Sequence, residues 1–253
     1  SATKQEISDA NFNDSINLFL ALALTKGAIK DKSEIERIGI RIVAPGEYFY
    51  SHNTVDQVFI EKLKDAREFA PLHIDPIITE LVELEKNLHG VPVVAVSDSA
   101  FHISLPDNAR FYAIPKNVAD KFGIFRFGYH GISVSSVLRG TEKLLGKIPE
   151  KIIVCHLGSG ASITAVKNGE SFDTSMGLTP LEGLPMGTRV GDIDPGAVIV
   201  LGQKLNLNYL GLEEYLNKQC GLLGLSKNSS DIRELLAAEE KGDKDAKRAL
   251  EFF

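Results

Sequence analysis

The sequence predicts an α/β fold with a parallel sheet, on the strength of three patterns. Two short β-branched runs, residues 38–43 and 92–96, each lead into turn-forming or polar residues, and helical patterns separate them. Strands that alternate with helices are typical of parallel sheets, whose ligands bind beyond the carboxyl ends of the strands. Further along, residues 152–175 read as a β-meander of three strands joined by tight turns. We therefore expect functional residues at strand ends and in the turns of the meander.

Residues 1–98 are predicted to form the first domain. Its strands are β-branched runs bounded by turn formers such as Pro45 and Gly46, and its helices carry apolar residues at helical spacing. Asp98 directly follows the second strand, at the sheet edge where ligands gather. The predicted elements are helices over about 14–30, 55–69 and 77–88 and strands over 38–43 and 92–96.

Residues 99–253 are predicted to form the second domain, a meander followed by helices. Asn168-Gly169 is a hairpin signal between its second and third strands. The first two strands, 152–156 and 161–166, flank a glycine-rich turn. The remaining segment, 196–253, is helical, with a glycine-rich break over 221–224 and a helix start before Ile232.

Composition and charge exclude several classes of function. The net charge of -6 is spread without a basic stripe, which argues against a nucleic-acid partner. The longest apolar run, 16–24, is too short to span a bilayer, so we expect no membrane association. Cys155 and Cys220 lack metal-ligand spacing, and we therefore expect a cytoplasmic protein without a zinc site or disulfide scaffold. Because the chain opens at Ser1 and stops within a helix-like segment, we expect it to be part of a longer protein.

The segment 156–162, HLGSGAS, is a tight turn between two predicted strands. Its glycines let backbone N–H groups approach an anion, which makes it a candidate phosphate site. It is not a Walker loop, because no GK[ST] follows and the next element is a strand. A plain hairpin turn is the alternative interpretation.

Arg189 lies in a glycine-flanked segment, with Asp192 and Asp194 close behind it. A guanidinium is always charged and can bind two phosphate oxygens at once, and the carboxylates could orient it. The alternative is a solvated arginine on a surface turn.

Four other residues have a functional and a structural interpretation. Arg41 interrupts an apolar strand. It either lies on the solvent side of an edge strand or is a buried cation that binds an anion. Asp98 could be a general base, a metal-orienting group or the cap of the next helix. His130, between two glycines, and His156, beside the glycine turn, could donate to an oxyanion or make structural hydrogen bonds. The remaining histidines are expected to be exposed or in the core: His52, His73, His89 and His102.

Several strings, in order, resemble the acetate kinase family. The run 173–184, DTSMGLTPLEGL, followed by MGTR and GDIDP, is similar to the family signature almost letter for letter. Shorter similar segments occur at 70–73, 98–102, 126–131, 156–162 and 230–233, so the resemblance covers nearly the whole chain.

The resemblance implies a homodimer with two actin-like, ribonuclease H-like α/β domains around a nucleotide cleft, both incomplete here. It also implies Mg²⁺-dependent, reversible transfer of the γ-phosphoryl of ATP to a small carboxylate, giving ADP and an acyl phosphate. Acetate is the expected carboxylate, with propionate or butyrate as variants, and a non-catalytic nucleotide- or anion-binding relative or an inactive fragment is the alternative.

The resemblance implies roles for individual residues. Arg41 and Arg189 would hold the carboxylate and the transferring phosphoryl group. Asp98 would act at the metal and acyl-phosphate centre, and His130 would stabilise the transition state. The acyl pocket would be lined by Val43, Leu72, Tyr129 and Pro180. The nucleotide would be met by His156, Gly158, Ser159, Gly160, Asp231, Ile232 and Arg233.

The chain departs from the family pattern at named positions. Ile40 precedes Arg41 where the family has histidine, and Ala44-Pro45-Gly46 replaces His-Gly-Gly. Ser159 stands for the usual asparagine and Tyr129 for the usual phenylalanine. Neither the family's first phosphate loop nor its last adenosine-site segment has a counterpart in this sequence, so we expect negligible turnover by this chain alone.

Overall fold

The computed structural model describes residues 15–253, which form two compact units. The first unit comprises residues 15–44 and 51–97, and the second comprises residues 45–50 and 98–253. Asp98 therefore lies in the second unit. The domain assignment made from the sequence, 1–98 and 99–253, stays a prediction beside this division.

The first unit contains a three-stranded sheet in the order β1-β3-β2. Strands β1, Ile38–Ile42, and β3, Val93–Ser97, run parallel, as the sequence predicts. Strand β2, Asn53–Thr54, pairs antiparallel to β3. The sequence analysis missed β2 because a strand of two residues is too short to show alternation.

Three α-helices of the first unit accompany this sheet: α1, Ser15–Thr25; α2, Gln57–Asp65; and α3, Pro71–Asn87. Helix α3 begins at Pro71 rather than at the predicted Ile77, because proline is compatible with the first helical turn. Asp14, the first residue of the predicted first helix, lies outside the described residues. Side chains such as Phe59, Leu63 and Ile74 are fully buried and form the core of this unit.

The second unit contains an antiparallel meander, as predicted. Its strands are β4, Lys151–Leu157; β5, Ala161–Lys167; and β6, Glu170–Thr174. Asn168 and Gly169 have φ of 54° and 82°, as the tight hairpin requires. The predicted α/β class is thus confirmed.

Before the meander come three helices: α4, Asp107–Arg110; α5, Lys116–Phe122; and α6, Gly131–Leu145. Helix α6 covers one face of the meander, where Val134 and Leu138 pack with Val154 and Val166. This packing fixes the start of α6 against the β4–β5 turn. His130, a catalytic candidate, and His156, a nucleotide-binding candidate, lie at that junction.

Five helices follow the meander: α7, Pro195–Lys204; α8, Tyr209–Lys218; α9, Gly221–Ser226; α10, Ile232–Glu240; and α11, Lys244–Phe252. The predicted break occurs at residues 219–220, between α8 and α9, whereas residues 221–224 themselves are helical. Gly221 has φ of 60°, and a Cβ there would collide with the carbonyl of Met186. Glycine at this position therefore permits a close approach to the 186–189 loop. Within residues 15–253, every helix is too short or too polar to cross a bilayer.

Candidate active site

The start of α6 holds His130 in a left-handed backbone conformation, with φ of 61°. Few residues other than glycine adopt it. The Oδ2 atom of Asp98 accepts a hydrogen bond from the His130 amide at 2.8 Å, and the Asp98 carbonyl accepts one from Gly131, also at 2.8 Å. Asp98 is 1% exposed and His130 6% exposed. Asp98 thus organises the loop that carries His130.

The rings of His130 and His156 are stacked, with centroids 3.9 Å apart and an angle of 24° between their planes. The Nδ1 atom of His130 lies 2.9 Å from Ser162 Oγ on β5, and the Nδ1 atom of His156 lies 2.9 Å from Ser133 Oγ on α6. The ring pair therefore ties the helix to the β4–β5 hairpin. In each ring Nδ1 is engaged by a serine, and Nε2 lies on the side of the glycine turn.

Gly160 marks the point where His130 and Arg189 converge. A Cβ built on Gly160 would lie 3.3 Å from His130 Nε2 and 3.4 Å from Arg189 Nη1. A Cβ on Gly158 would likewise lie 3.5 Å from His156 Nε2. The predicted glycine turn thus faces two imidazoles and a guanidinium, which are suitable donors for an anion.

Arg189 is half-buried and does not behave as a solvated surface arginine. Its Nη1 donates to the Pro180 carbonyl at 3.2 Å and lies 3.6 Å from Met186 Sδ. The loop around it is joined to the glycine turn, because the Gly187 amide donates to the Ser159 carbonyl at 3.1 Å. The Nη1 atom and the loop that carries Arg189 are therefore both held in place.

Asp192 and Asp194 fasten the backbone around Arg189. Asp192 Oδ1 accepts from the Gly183 amide at 2.8 Å, and its own amide donates to the Gly183 carbonyl at 2.8 Å. Asp194 Oδ2 accepts from the Ala197 amide at 3.1 Å and caps α7. Both carboxylates therefore shape the loop through backbone contacts.

The run 173–184 is anchored by a half-buried polar network. Arg126 Nη2 donates to Glu182 Oε1 at 2.6 Å, and Tyr112 donates to the other carboxylate oxygen. Arg126 Nη1 also lies 3.2 to 3.4 Å from the carbonyl oxygens of residues 174–176. The network fixes the segment that presents the Pro180 carbonyl to Arg189.

Tyr129 is almost fully buried, and its hydroxyl donates to the Leu178 carbonyl at 2.6 Å. Burial raises the pKa of Tyr129 well above its usual value, so the hydroxyl stays protonated. Pro180, two residues after Leu178 in the chain, is buried as well. Val43 and Leu72, the other predicted pocket residues, are half-buried in the first unit. The extra hydroxyl at position 129 thus has a protein partner in the 173–184 run.

Arg41 has an exposed side chain on β1, at the edge of the sheet that residues 15–97 form, so it is not a buried cation.

Asp231 caps α10, accepting from the Arg233 amide at 2.8 Å. The Arg233 guanidinium also binds the Asp231 carboxylate, and this lowers the pKa of Asp231 to about 2. Ile232 packs on the core of the last helices. The cap borders the 186–189 loop, since a Cβ on Gly187 would lie 3.4 Å from Ser230 Cβ.

Sequence analysis assigned no individual role in the site to three residues: Ser133, Ser162 and His102. Ser162 pairs opposite His156 in the β4–β5 register, and Ser133 lies on the first turn of α6. The strand register that follows from the β4–β5 hairpin could have placed Ser162 next to His156. His102 is fully buried, as the core interpretation predicts, but it also binds the loop before His130.

The sequence matches the model of the Acetokinase family over residues 1–253. An acetate kinase from Caldanaerobacter subterraneus is 45% identical over 248 residues, which are 96% of this chain and 62% of the relative. One from Acetivibrio thermocellus is 44% identical over 90% of this chain and 57% of its own length. A propionate kinase structure from Francisella tularensis has a TM-score of 0.88 and 38% identity, covering 95% of this chain and 62% of that one. A Porphyromonas gingivalis acetate kinase structure has a TM-score of 0.83 and 37% identity, covering 95% and 61%. The chain thus spans about three fifths of the length of these relatives.

Proposed function

This chain belongs to the acetokinase family, and from that premise we propose that the protein transfers the γ-phosphoryl of ATP reversibly to a short carboxylate. The products are ADP and an acyl phosphate, and acetate is the proposed acceptor, with propionate and butyrate as variants. The observation that carries the proposal is the convergence of His130 Nε2 and Arg189 Nη1 beside Gly160.

Phosphoryl transfer needs positioned positive charge and hydrogen-bond donors more than covalent chemistry, because the transition state spreads charge over the equatorial oxygens. Arg189 would supply a planar, permanently charged fork. When the Ser162 hydroxyl donates to Nδ1 of His130, the ring carries its proton on Nε2 and donates it toward the same oxygens. The backbone of the glycine turn would add further N–H donors.

The remaining roles follow the family resemblance. Arg41 would hold the acceptor carboxylate, and Val43, Leu72, Tyr129 and Pro180 would line the acyl pocket. His156, Gly158, Ser159 and Gly160 would meet the nucleotide phosphates. Asp231, Ile232 and Arg233 would lie on the adenosine side. The short distance between the preceding residue, Ser230, and Gly187 of the 186–189 loop supports this assignment.

Mg²⁺ fits this donor set as an ion carried mainly by the nucleotide. It usually keeps several waters and binds phosphates with one or two carboxylates. In residues 15–253 no group of three or more His, Cys, Asp or Glu side chains could hold a metal ion, and Asp98 is the proposed single carboxylate. When bound, Mg²⁺ would neutralise phosphate charge.

We extend the proposal to a cytoplasmic homodimer on the basis of the same resemblance.

Acyl hydroxamate formation from ATP tests the proposal. Acetate, propionate and butyrate would each be supplied to this chain and to a form that carries its natural flanks. We expect the flanked form to produce hydroxamate and this chain alone to produce little, because it spans about three fifths of its relatives. Nucleotide binding by the flanked form without product from any acid would contradict the proposal and favour the non-catalytic relative.

A further inference from the structure

His102 lies fully buried behind the loop that carries His130. Its Nε2 is 2.9 Å from the Tyr129 carbonyl oxygen, and its Nδ1 is 2.8 Å from Ser171 Oγ on β6. A carbonyl oxygen only accepts hydrogen bonds, so Nε2 carries the proton. The Nδ1 atom of the neutral ring then accepts from the Ser171 hydroxyl. The two partners thereby select one tautomer.

The carbonyl that His102 binds belongs to the peptide unit between Tyr129 and His130. The amide of that same unit donates to Asp98 Oδ2 at 2.8 Å. A peptide unit is planar and rigid, so two side chains hold it at both ends. The orientation of this plane sets φ of His130, which is 61°. The left-handed conformation of His130 is therefore held from outside the residue.

The backbone at Gly128 is shaped to the His102 ring. A Cβ on Gly128 would lie 2.7 Å from the imidazole carbons and 2.8 Å from Thr174 Cγ2. The chain thus passes directly over the ring on its way to His130. Burial lowers the pKa of His102 to about 4, which keeps the ring neutral and its Nδ1 lone pair available to Ser171 near neutral pH.

We propose that His102 is a positioning residue for phosphoryl transfer, which holds the Tyr129 carbonyl so that the His130 ring faces Arg189. This inference rests on the proposed function, because His130 is the residue that would meet the phosphoryl group. His102 itself contacts neither the glycine turn nor Arg189 in the hydrogen bonds that define its tautomer. Its effect would reach the reaction only through the 129–130 peptide.

Two substitutions separate the hydrogen bond from the packing. His102→Phe fills the space of the ring but removes the donor, whereas His102→Gln keeps an N–H near the position of Nε2. In the flanked form we expect His102→Phe to lose on the order of tenfold or more in kcat, because the unpaired Tyr129 carbonyl no longer holds the His130 ring in its position. KM for ATP and for acetate should stay within about twofold, and the glutamine variant should recover part of kcat.

Ser104→Ala is the matched control. Ser104 Oγ donates to the Ser171 carbonyl at 3.0 Å, so the change removes a neighbouring hydrogen bond without touching the 129–130 peptide. We expect its kcat to equal that of the parent. A kcat for His102→Phe equal to the parent's would overturn the proposal. So would an equal kcat loss in the phenylalanine, glutamine and Ser104 variants.

A structural readout keeps the inference separate from the activity. Backbone NMR shifts of His130, recorded in this chain, report whether φ stays in the left-handed region. We expect His102→Phe to move these shifts and Ser104→Ala to leave them unchanged. Unmoved shifts in His102→Phe would overturn the positioning role. A parent without hydroxamate activity but with shifted His130 signals in that variant would instead refute only the proposed function.

Discussion

The Nε2 atom of His130 and the Nη1 atom of Arg189 lie 3.3 and 3.4 Å from one point, the position that a Cβ on Gly160 would occupy. The imidazole and the guanidinium thus share a space that only a residue without a side chain leaves open. An anion bound by both groups would use this space.

Gly160→Ala should therefore lower turnover without unfolding the protein. The backbone of Gly160 lies outside the left-handed region, and the new methyl group would press on both side chains. We expect kcat to fall by about tenfold or more, measured by hydroxamate formation. Gly140→Ala, on the exposed face of α6, is the control. It should keep its turnover and gain about 0.5 to 1 kcal/mol in unfolding free energy. A Gly160→Ala variant that turns over as fast as the parent would contradict a shared anion site between His130 and Arg189.

Arg189→Lys should reduce kcat by on the order of 10², because a point ammonium cannot reproduce the planar fork. The melting temperature should barely move. Steady-state kinetics with ATP and acetate, together with thermal unfolding, measure both effects. Arg67→Lys is the control, since Arg67 makes an exposed ion pair with Asp75. A large stability loss with unchanged turnover in Arg189→Lys would assign Arg189 a structural role.

Tyr129→Phe removes the hydrogen bond from the hydroxyl to the Leu178 carbonyl. We expect a loss of about 1 kcal/mol in unfolding free energy, measured with urea. If Tyr129 lines the acyl pocket, the ratios of kcat/KM among acetate, propionate and butyrate should also change. Identical ratios for the three acids would remove Tyr129 from the pocket.

His102 should make the stability of this chain depend on pH. Burial lowers its pKa from 6.5 to about 4 in the folded state, against smaller opposing effects of the hydrogen bond to the Tyr129 carbonyl and of the Asp98 charge. Between these values the unfolded chain binds the proton and the folded chain does not, so unfolding free energy falls as the pH drops. The contribution is on the order of 3 kcal/mol. Urea unfolding of the parent and His102→Gln should give curves that converge as the pH falls from about 7 to 4. Unfolding free energies of the two proteins that keep a constant difference over this pH range would contradict the lowered pKa of His102.

Local chemistry explains what could be predicted from the sequence. Asn168 and Gly169 are residues that accept positive φ, so the β5–β6 hairpin could be predicted from these two residues. The glycine turn and the Arg189 loop could be predicted from another local pattern, glycines next to histidine or to charged residues. The stacking of His130 on His156 could not be predicted, because it depends on the β4–β5 register and on the packing of α6. Likewise, no local pattern connects His102 to the carbonyl of Tyr129, and at Gly221 close packing outweighs helix propensity.

The backbone of His130 makes glycine a better small residue than alanine at this position. Glycine is already preferred over alanine at helix N-caps, and at φ of 61° a Cβ adds strain of roughly 1 to 2 kcal/mol. His130→Gly should therefore be as stable as His130→Ala or more stable, although both lack the ring. The histidine is thus kept at a position where another residue would suit the fold better. At this position the sequence gives up conformational stability in exchange for an imidazole at the glycine turn.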